Sequence, residues 1–394
     1  MPFHPGGEII TAYHGLDATD VFFALHPSTA QHWLRKFEVT SSSRQKFETQ
    51  SCSHQTSKLN AEFRKLRQKI EQLGLLKDDR VEYHVGQLLA TLLILGLATG
   101  LLILRPELWL VSALLVALFL QQVGWLAHDY HHLPLFNSPT INYLCTGIIL
   151  GNVMEGFSGV WWKSRHNAHH AVTNVLFQDP DLDHLPLFVW DVKEVKALPT
   201  FSSLRHTLKY QAYYLLPFLM LLRLIWEVQS FIFVFRMPFS RKALYRKLAV
   251  VECASLCFHW VLKLLFCYSL VPQGSRVSYL FVVELVAGFL QGIIVFFNHY
   301  ESHHSPSLSQ SFAAMQVLST RNISHSSIID WLSGSMSYQI EHHLFPMAPR
   351  YHLPHISVHV QKFCEDNALP YRCEPFFLGW KRIILHLEKV SQFL

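Results

Sequence analysis

The chain has 394 residues, of which 50% are hydrophobic and only 15% charged, where a soluble domain carries about 25% charge. That deficit marks a chain that meets lipid and excludes disorder, collagen and a small disulfide scaffold, while a net charge of +5 gives no expectation of a nucleic-acid partner. Seven cysteines without a CxxC pair exclude a zinc ribbon and a full disulfide framework, and 25 histidines nearly match the 28 acidic residues, as suits imidazole ligation of borderline metals.

The chain opens with His4-Pro5-Gly6-Gly7, followed by Asp17-Ala18-Thr19-Asp20 and Ala24-Leu25-His26. Residues 40–57, rich in Ser, Gln and Thr, read as a linker, and residues 58–73 as a basic amphipathic juxtamembrane helix. Two apolar runs follow, 86–104 and 108–127, joined by Arg105, Pro106 and Glu107. About 20 helical residues cross a hydrocarbon core of roughly 30 Å, so the pair predicts a membrane hairpin. A second hairpin is predicted from 250–271 and 278–298, with Pro272 and Gly274 in its joint. Between them, 211–235 is also apolar, but Arg223 and Glu227 stand at i,i+4 on one face and suggest an interfacial helix.

Basic residues gather before the first and third spans and are sparse in the two joints. The positive-inside rule therefore places the N-terminus, residues 128–249 and the C-terminal tail in the cytosol. No cleavable signal peptide is visible. Three charges fall inside the second hairpin: Glu252 near the entry interface, within reach of water, and Lys263 and Glu284 at similar depth. The last two either pair, because unpaired burial costs several kcal/mol, or Lys263 snorkels to the far face.

Three histidine clusters punctuate the cytosolic side. In His128-Asp129-Tyr130-His131-His132 the outer pair, at i,i+4, shares a helix face, and His131 is displaced from it. Trp161-Trp162 precedes His166-Asn167-Ala168-His169-His170, whose imidazoles at i, i+3 and i+4 form one stripe. Gln339-Ile340-Glu341-His342-His343 repeats the spacing, with Gln339 as weak ligand or water holder. One such cluster is a chance polar face; three on one side of a membrane imply a shared metal site. A zinc ion needs four ligands, so about eight imply two metals, and redox-active iron would explain the number.

These clusters, with two hairpins, Trp161-Trp162-Lys163, Asp179-Pro180-Asp181, Thr320-Arg321-Asn322, Asp330-Trp331 and Pro349-Arg350, resemble the membrane-bound fatty acyl desaturases over nearly the whole chain. Gln339 in the third cluster, followed by Leu344-Phe345-Pro346, is similar to the front-end desaturases, which insert a double bond between an existing one and the carboxyl end. The resemblance implies an all-α membrane protein of four spans, with a cytosolic helical cap carrying two iron ions, over residues 81–394. It implies as ligands His128, His132, His166, His169, His170, His342 and His343, with Gln339 as ligand or water holder. It also implies a histidine at the end of the fourth span, where His299 stands, with His303 and His304 as the competing reading. Implied partners are O2, membrane lipid, an acyl chain carried on coenzyme A or phospholipid, and cytochrome b5 with its NADH-dependent reductase, in the endoplasmic reticulum. A sphingolipid long-chain-base desaturase and a non-catalytic desaturase-like protein are the alternatives.

The opening motif resembles the haem-binding half of a cytochrome b5 domain, a partial α+β unit over residues 1–39, with His4 and His26 as the implied axial ligands. Only Met1, Pro2 and Phe3 precede the HPGG turn, where the family carries strands of the haem pocket. The expectation is that this segment holds haem poorly and that electrons come from free cytochrome b5.

Overall fold

The computed structural model describes residues 9–26, 30, 54–199, 203–302 and 311–394. The described residues are mostly helical; the one sheet found among them is a two-residue parallel pair in the cap, Asn322 opposite Cys373 and Ile323 opposite Glu374. The described N-terminal residues form short helices, including α1 (Thr19–Leu25), and no strand, so the α+β character expected there is not seen among them.

Helix α2 (His54–Gln72) precedes the first hairpin, α3 (Val81–Leu104) and α4 (Trp109–His132), whose joint holds Pro106. Leu-rich apolar runs without internal Pro give these helices, and Pro106 begins the short turn between them. A π-helical stretch, Tyr143–Glu155, leads into α5 (Gly159–Ala171), and α6 (Gln211–Arg236) leads to the second hairpin, α7 (Ala243–Leu270) and α8 (Arg276–His299). Helix α8 lies centrally, against both α4 and α6. The cap adds α9 (Phe312–Ser319), α10 (Gln339–Leu344), α11 (Leu353–Asp366) and α12 (Phe376–Ser391).

Among the described residues five helices are long and apolar enough to cross a membrane, one more than the four spans read from sequence; the additional one is α6. Its two ends nonetheless pack at the same end of the second hairpin. Ala212, Leu215 and Phe218 join a core with Phe296 and Tyr300 beside the end of α8, while Val234 and Met237 pack with Ala249 and Leu256 near the start of α7.

The interfacial reading of its charges is corrected by the packing. Arg223 and Glu227 face inward, not toward head groups, and Arg223 is fully buried. Its guanidinium pairs with Glu155 at 2.8 Å, Glu284 at 2.9 Å and Glu227 at 3.2 Å, and Lys263 lies 2.7 Å from Glu284 and 3.3 Å from Glu227. Lys263 and Glu284 thus pair, within a network of five charges. Glu252 does not reach water as expected: it is buried and accepts hydrogen bonds from Tyr143, Asn152 and Ser158.

The amphipathic helix expected at 58–73 forms as α2, but its apolar face is covered by protein. Phe63 and Ile70 are fully buried with Phe312, Phe345 and Val360. Val21 and Ala24 of α1 enter the same core beside Ala171 and Val172, which end α5.

Candidate metal centre

Four helices deliver the histidines. The last turn of α4 carries His128 and His132, and α5 carries His166, His169 and His170. Helix α8 ends on His299, and α10 carries His342 and His343. Helix α5 starts cleanly because Ser158 accepts from the Trp161 amide as an N-cap. It can sit against the π-helical stretch because Gly159 meets Gly147, with its added Cβ falling 2.6 Å from the Gly147 Cα.

Among the described residues the histidines converge in two groups, and His169 also stands close to the carboxylates of Asp179 and Asp181. His128, His132, His166, His170 and His342 offer nitrogens all within 4.8 Å of one another, and so do His169, His299 and His343. His166 Nε2 lies 3.1 Å from His128 Nε2 and 3.0 Å from His170 Nε2, which is 3.2 Å from His342 Nε2. His131, adjacent in sequence, belongs to neither group. Gln339 stands beside the second group, its Nε2 2.9 Å from His299 Nε2. His303 and His304, the competing positions, lie outside the described residues, as does His4. His26 is half-buried in the cap, stacked on Phe22.

Polar groups behind the histidines fix how their rings point. Asp179 accepts from His169 Nδ1 at 2.9 Å, Gln316 Oε1 lies 2.8 Å from His343 Nδ1, and Asp129 lies 3.3 Å from His128 Nδ1. Protons held on Nδ1 leave Nε2 as a lone pair facing inward. Asp129 is itself tied to Arg350. Asp129, Asp179 and Arg350 stood in motifs legible in sequence, without a role; Gln316 carried no local signal.

Burial, reinforced by neighbouring imidazoles, pushes His166, His170, His342 and His343 well below the ordinary histidine value, so they are neutral at physiological pH. For His169 burial works in the same direction, but the Asp179 carboxylate outweighs it and raises the value. His132 Nε2 and His343 Nε2 are buried without a hydrogen-bond partner. Neutral imidazoles crowding their lone pairs together repel unless a cation lies between them, so the donor set fits metal ions. All-nitrogen ligation without thiolate suits iron or zinc, not magnesium or calcium.

A cavity of about 120 Å³ opens beside both groups. His128, His166, His169, His299 and Gln339 line one side, and Phe157, Trp161, Trp226, Leu222, Val295 and Phe296 give it an apolar wall. Glu155 and Gln291 line it too, hydrogen-bonded to each other at 2.7 Å. Gly124, one turn before His128, leaves room for them: a Cβ there would fall 2.4 Å from the Gln291 amide nitrogen.

With this geometry established, comparison with known proteins identifies the family. The fatty acid desaturase profile matches residues 107–375. The chain belongs to the fatty acid desaturase family. It is 36% identical to a Delta(8)-fatty-acid desaturase of Euglena gracilis, with 94% of this chain and 87% of that protein aligned. It is 34% identical to a Delta(6)-fatty-acid desaturase of Caenorhabditis elegans (99% and 92% aligned) and 33% identical to a Delta(5) fatty acid desaturase of the same animal (96% and 89%). The desaturase is thus an oxidoreductase acting on fatty acyl chains, and its two histidine groups lie within the matched region apart from no member, since they run from His128 to His343.

Proposed function

We propose that this desaturase is a front-end enzyme: it introduces a cis double bond between an existing one and the carboxyl end of a polyunsaturated acyl chain carried on coenzyme A or phospholipid. The single observation that carries the reading is the pairing of two convergent histidine groups with an apolar cavity along their shared side. The relatives named for Delta(5), Delta(6) and Delta(8) activity support the front-end class.

His128, His132, His166, His170 and His342 would hold one iron, and His169, His299 and His343 the other, with Gln339 beside it. When bound, two irons supply the oxidising power needed to take hydrogen from an unactivated methylene. The overall reaction balances as CH2–CH2 + O2 + 2 e⁻ + 2 H⁺ giving CH=CH + 2 H2O. The chain's own residues do the positioning. Trp161, Trp226, Leu222, Val295 and Phe296 enclose the acyl segment and exclude water, and a featureless hydrocarbon acquires its regiochemistry only from such confinement. Asp129, Asp179 and Gln316 hold the imidazole rings.

Free cytochrome b5, reduced by its NADH-dependent reductase, is the proposed electron source, and the endoplasmic reticulum membrane, with both termini cytosolic, the proposed site. The test is expression in yeast fed polyunsaturated acids of several chain lengths, with double-bond positions mapped by mass spectrometry. New double bonds on the carboxyl side of existing ones are expected. Products desaturated toward the methyl end, or only in long-chain bases, would refute the front-end reading.

A further inference from the structure

The side-chain amide of Gln339 has two ends, an oxygen that can ligate a metal and a nitrogen that cannot, and its neighbour Asn298 determines which end faces the second histidine group. Asn298 is buried at the last turn of α8. One atom of its amide lies 3.1 Å from the Met336 carbonyl oxygen. A backbone carbonyl only accepts, so that atom is Nδ2, and Asn298 cannot be turned round without opposing two oxygens. The same Nδ2 lies 2.9 Å from Gln339, which must therefore present Oε1 to it. The other end of the Gln339 amide, 2.9 Å from His299 Nε2, is then the nitrogen. An amide nitrogen has its lone pair delocalised into the carbonyl and donates hydrogen bonds instead of ligating.

We propose that Gln339 is a hydrogen-bond donor to the second metal position and not one of its ligands, and that Asn298 is the positioning residue that holds it so. The inference rests on the two-metal reading above and deepens it. His169, His299 and His343 are then the only protein ligands among the described side chains of that group, and the side facing Gln339 is open to a small oxygen-containing ligand that can accept from Nε2. The substitution of glutamine for histidine at this point exchanges a metal ligand for a donor, which no imidazole bound through Nε2 could supply in the same place.

Purified full-length protein loaded with iron(II) is the test, with metal per chain and the rate of release to a chelator as readouts. Wild type should hold two metals, and Gln339→Leu should release both within about two-fold of the wild-type rate, while Gln339→His, by adding a ligand, should slow release of one by about ten-fold or more. Asn298→Asp cannot donate to Oε1, so the Gln339 amide should reverse, bring oxygen to the metal and slow release of one metal several-fold. That slowing should vanish in Asn298→Asp/Gln339→Leu, which carries the same added charge. Faster release from Gln339→Leu would make Gln339 a ligand and overturn the proposal. Unchanged or faster release from Asn298→Asp, or slowing that persists without Gln339, would overturn the positioning role. A wild-type protein that binds no metal would instead overturn the two-metal reading itself.

Discussion

Replacing Asp179 by Asn tests whether the groups behind the histidines govern the metal centre. Both carboxylate oxygens are committed: Oδ1 accepts from the Asp181 amide at 2.8 Å and lies 3.0 Å from His169 Nδ1, while Oδ2 accepts from the Asn174 amide at 2.8 Å and lies 2.9 Å from the same ring nitrogen. Asparagine keeps the shape, but its NH2 must face one of these N–H donors whichever way it turns. A buried unsatisfied donor costs about 1–3 kcal/mol, and Asp179 is 1% exposed, so water cannot relieve the conflict. Loss of such an outer partner typically weakens metal affinity about 10–100-fold, or roughly 1.4–2.7 kcal/mol. The change should fall on the group containing His169, His299 and His343 and spare the five-histidine group. Stopped-flow release to a chelator should therefore split into two phases in Asp179→Asn, one accelerated at least about ten-fold and one at the wild-type rate. Release of both metals at the wild-type rate would refute the claim that Asp179 orients His169.

Further outcomes follow from the same geometry. Arg223→Met leaves Glu227 and Glu284 with Lys263 and takes from Glu155 the guanidinium it pairs with, and removing one partner of a buried ion pair costs about 3–5 kcal/mol; thermal unfolding in detergent should drop well below wild type, and an unchanged midpoint would show that the network contributes nothing. Glu284→Gln and Lys263→Met should be strongly non-additive in a double-mutant cycle, because the two groups touch. His342→Ala or His166→Ala should abolish desaturation in microsomes while the protein still inserts, whereas His131→Ala should lose less, since His131 lies outside both groups; equal and total loss in all three would show the facing of the first cluster to be wrong. Gly124→Ala places a methyl against Gln291 inside the cavity, and product analysis should show a lower rate on all acyl substrates, with membrane insertion retained.

How much of this was legible beforehand depends on the range of the interaction. Helix facing in a cluster is local, so the i,i+4 pair His128 and His132, the i, i+3, i+4 stripe of the second cluster and the displacement of His131 could be read directly from spacing. Membrane hairpins were legible for the same reason, since length and hydropathy are properties of a segment. The pairing of Lys263 with Glu284 could be proposed from matching depth, but only as one of two options. Which histidines share a group could not be read at all: His170 joins the first cluster and His342, while its neighbour His169 joins His299 and His343, a division set by how four helices cross.

Tertiary structure also decided the fate of groups whose sequence context points the wrong way. Arg223 and Glu227 look the same on paper whether their face meets head groups or other helices, and only the approach of Glu155, Glu284 and Lys263 from elsewhere in the chain makes burial tolerable. Glu252 was read as wet because it stands near a span end, yet Tyr143, Asn152 and Ser158 enclose it. The apolar face of α2 was read as facing a membrane and is instead covered by the cap. Sequence by itself determined what each helix can do with its own residues: its length, its apolar runs and the stripe of imidazoles it presents. The partners that neutralise a buried charge, satisfy a Gln amide or complete a ring of ligands arrive from positions tens to hundreds of residues away, and only the packing of the helices selects among the faces that local chemistry leaves equally possible.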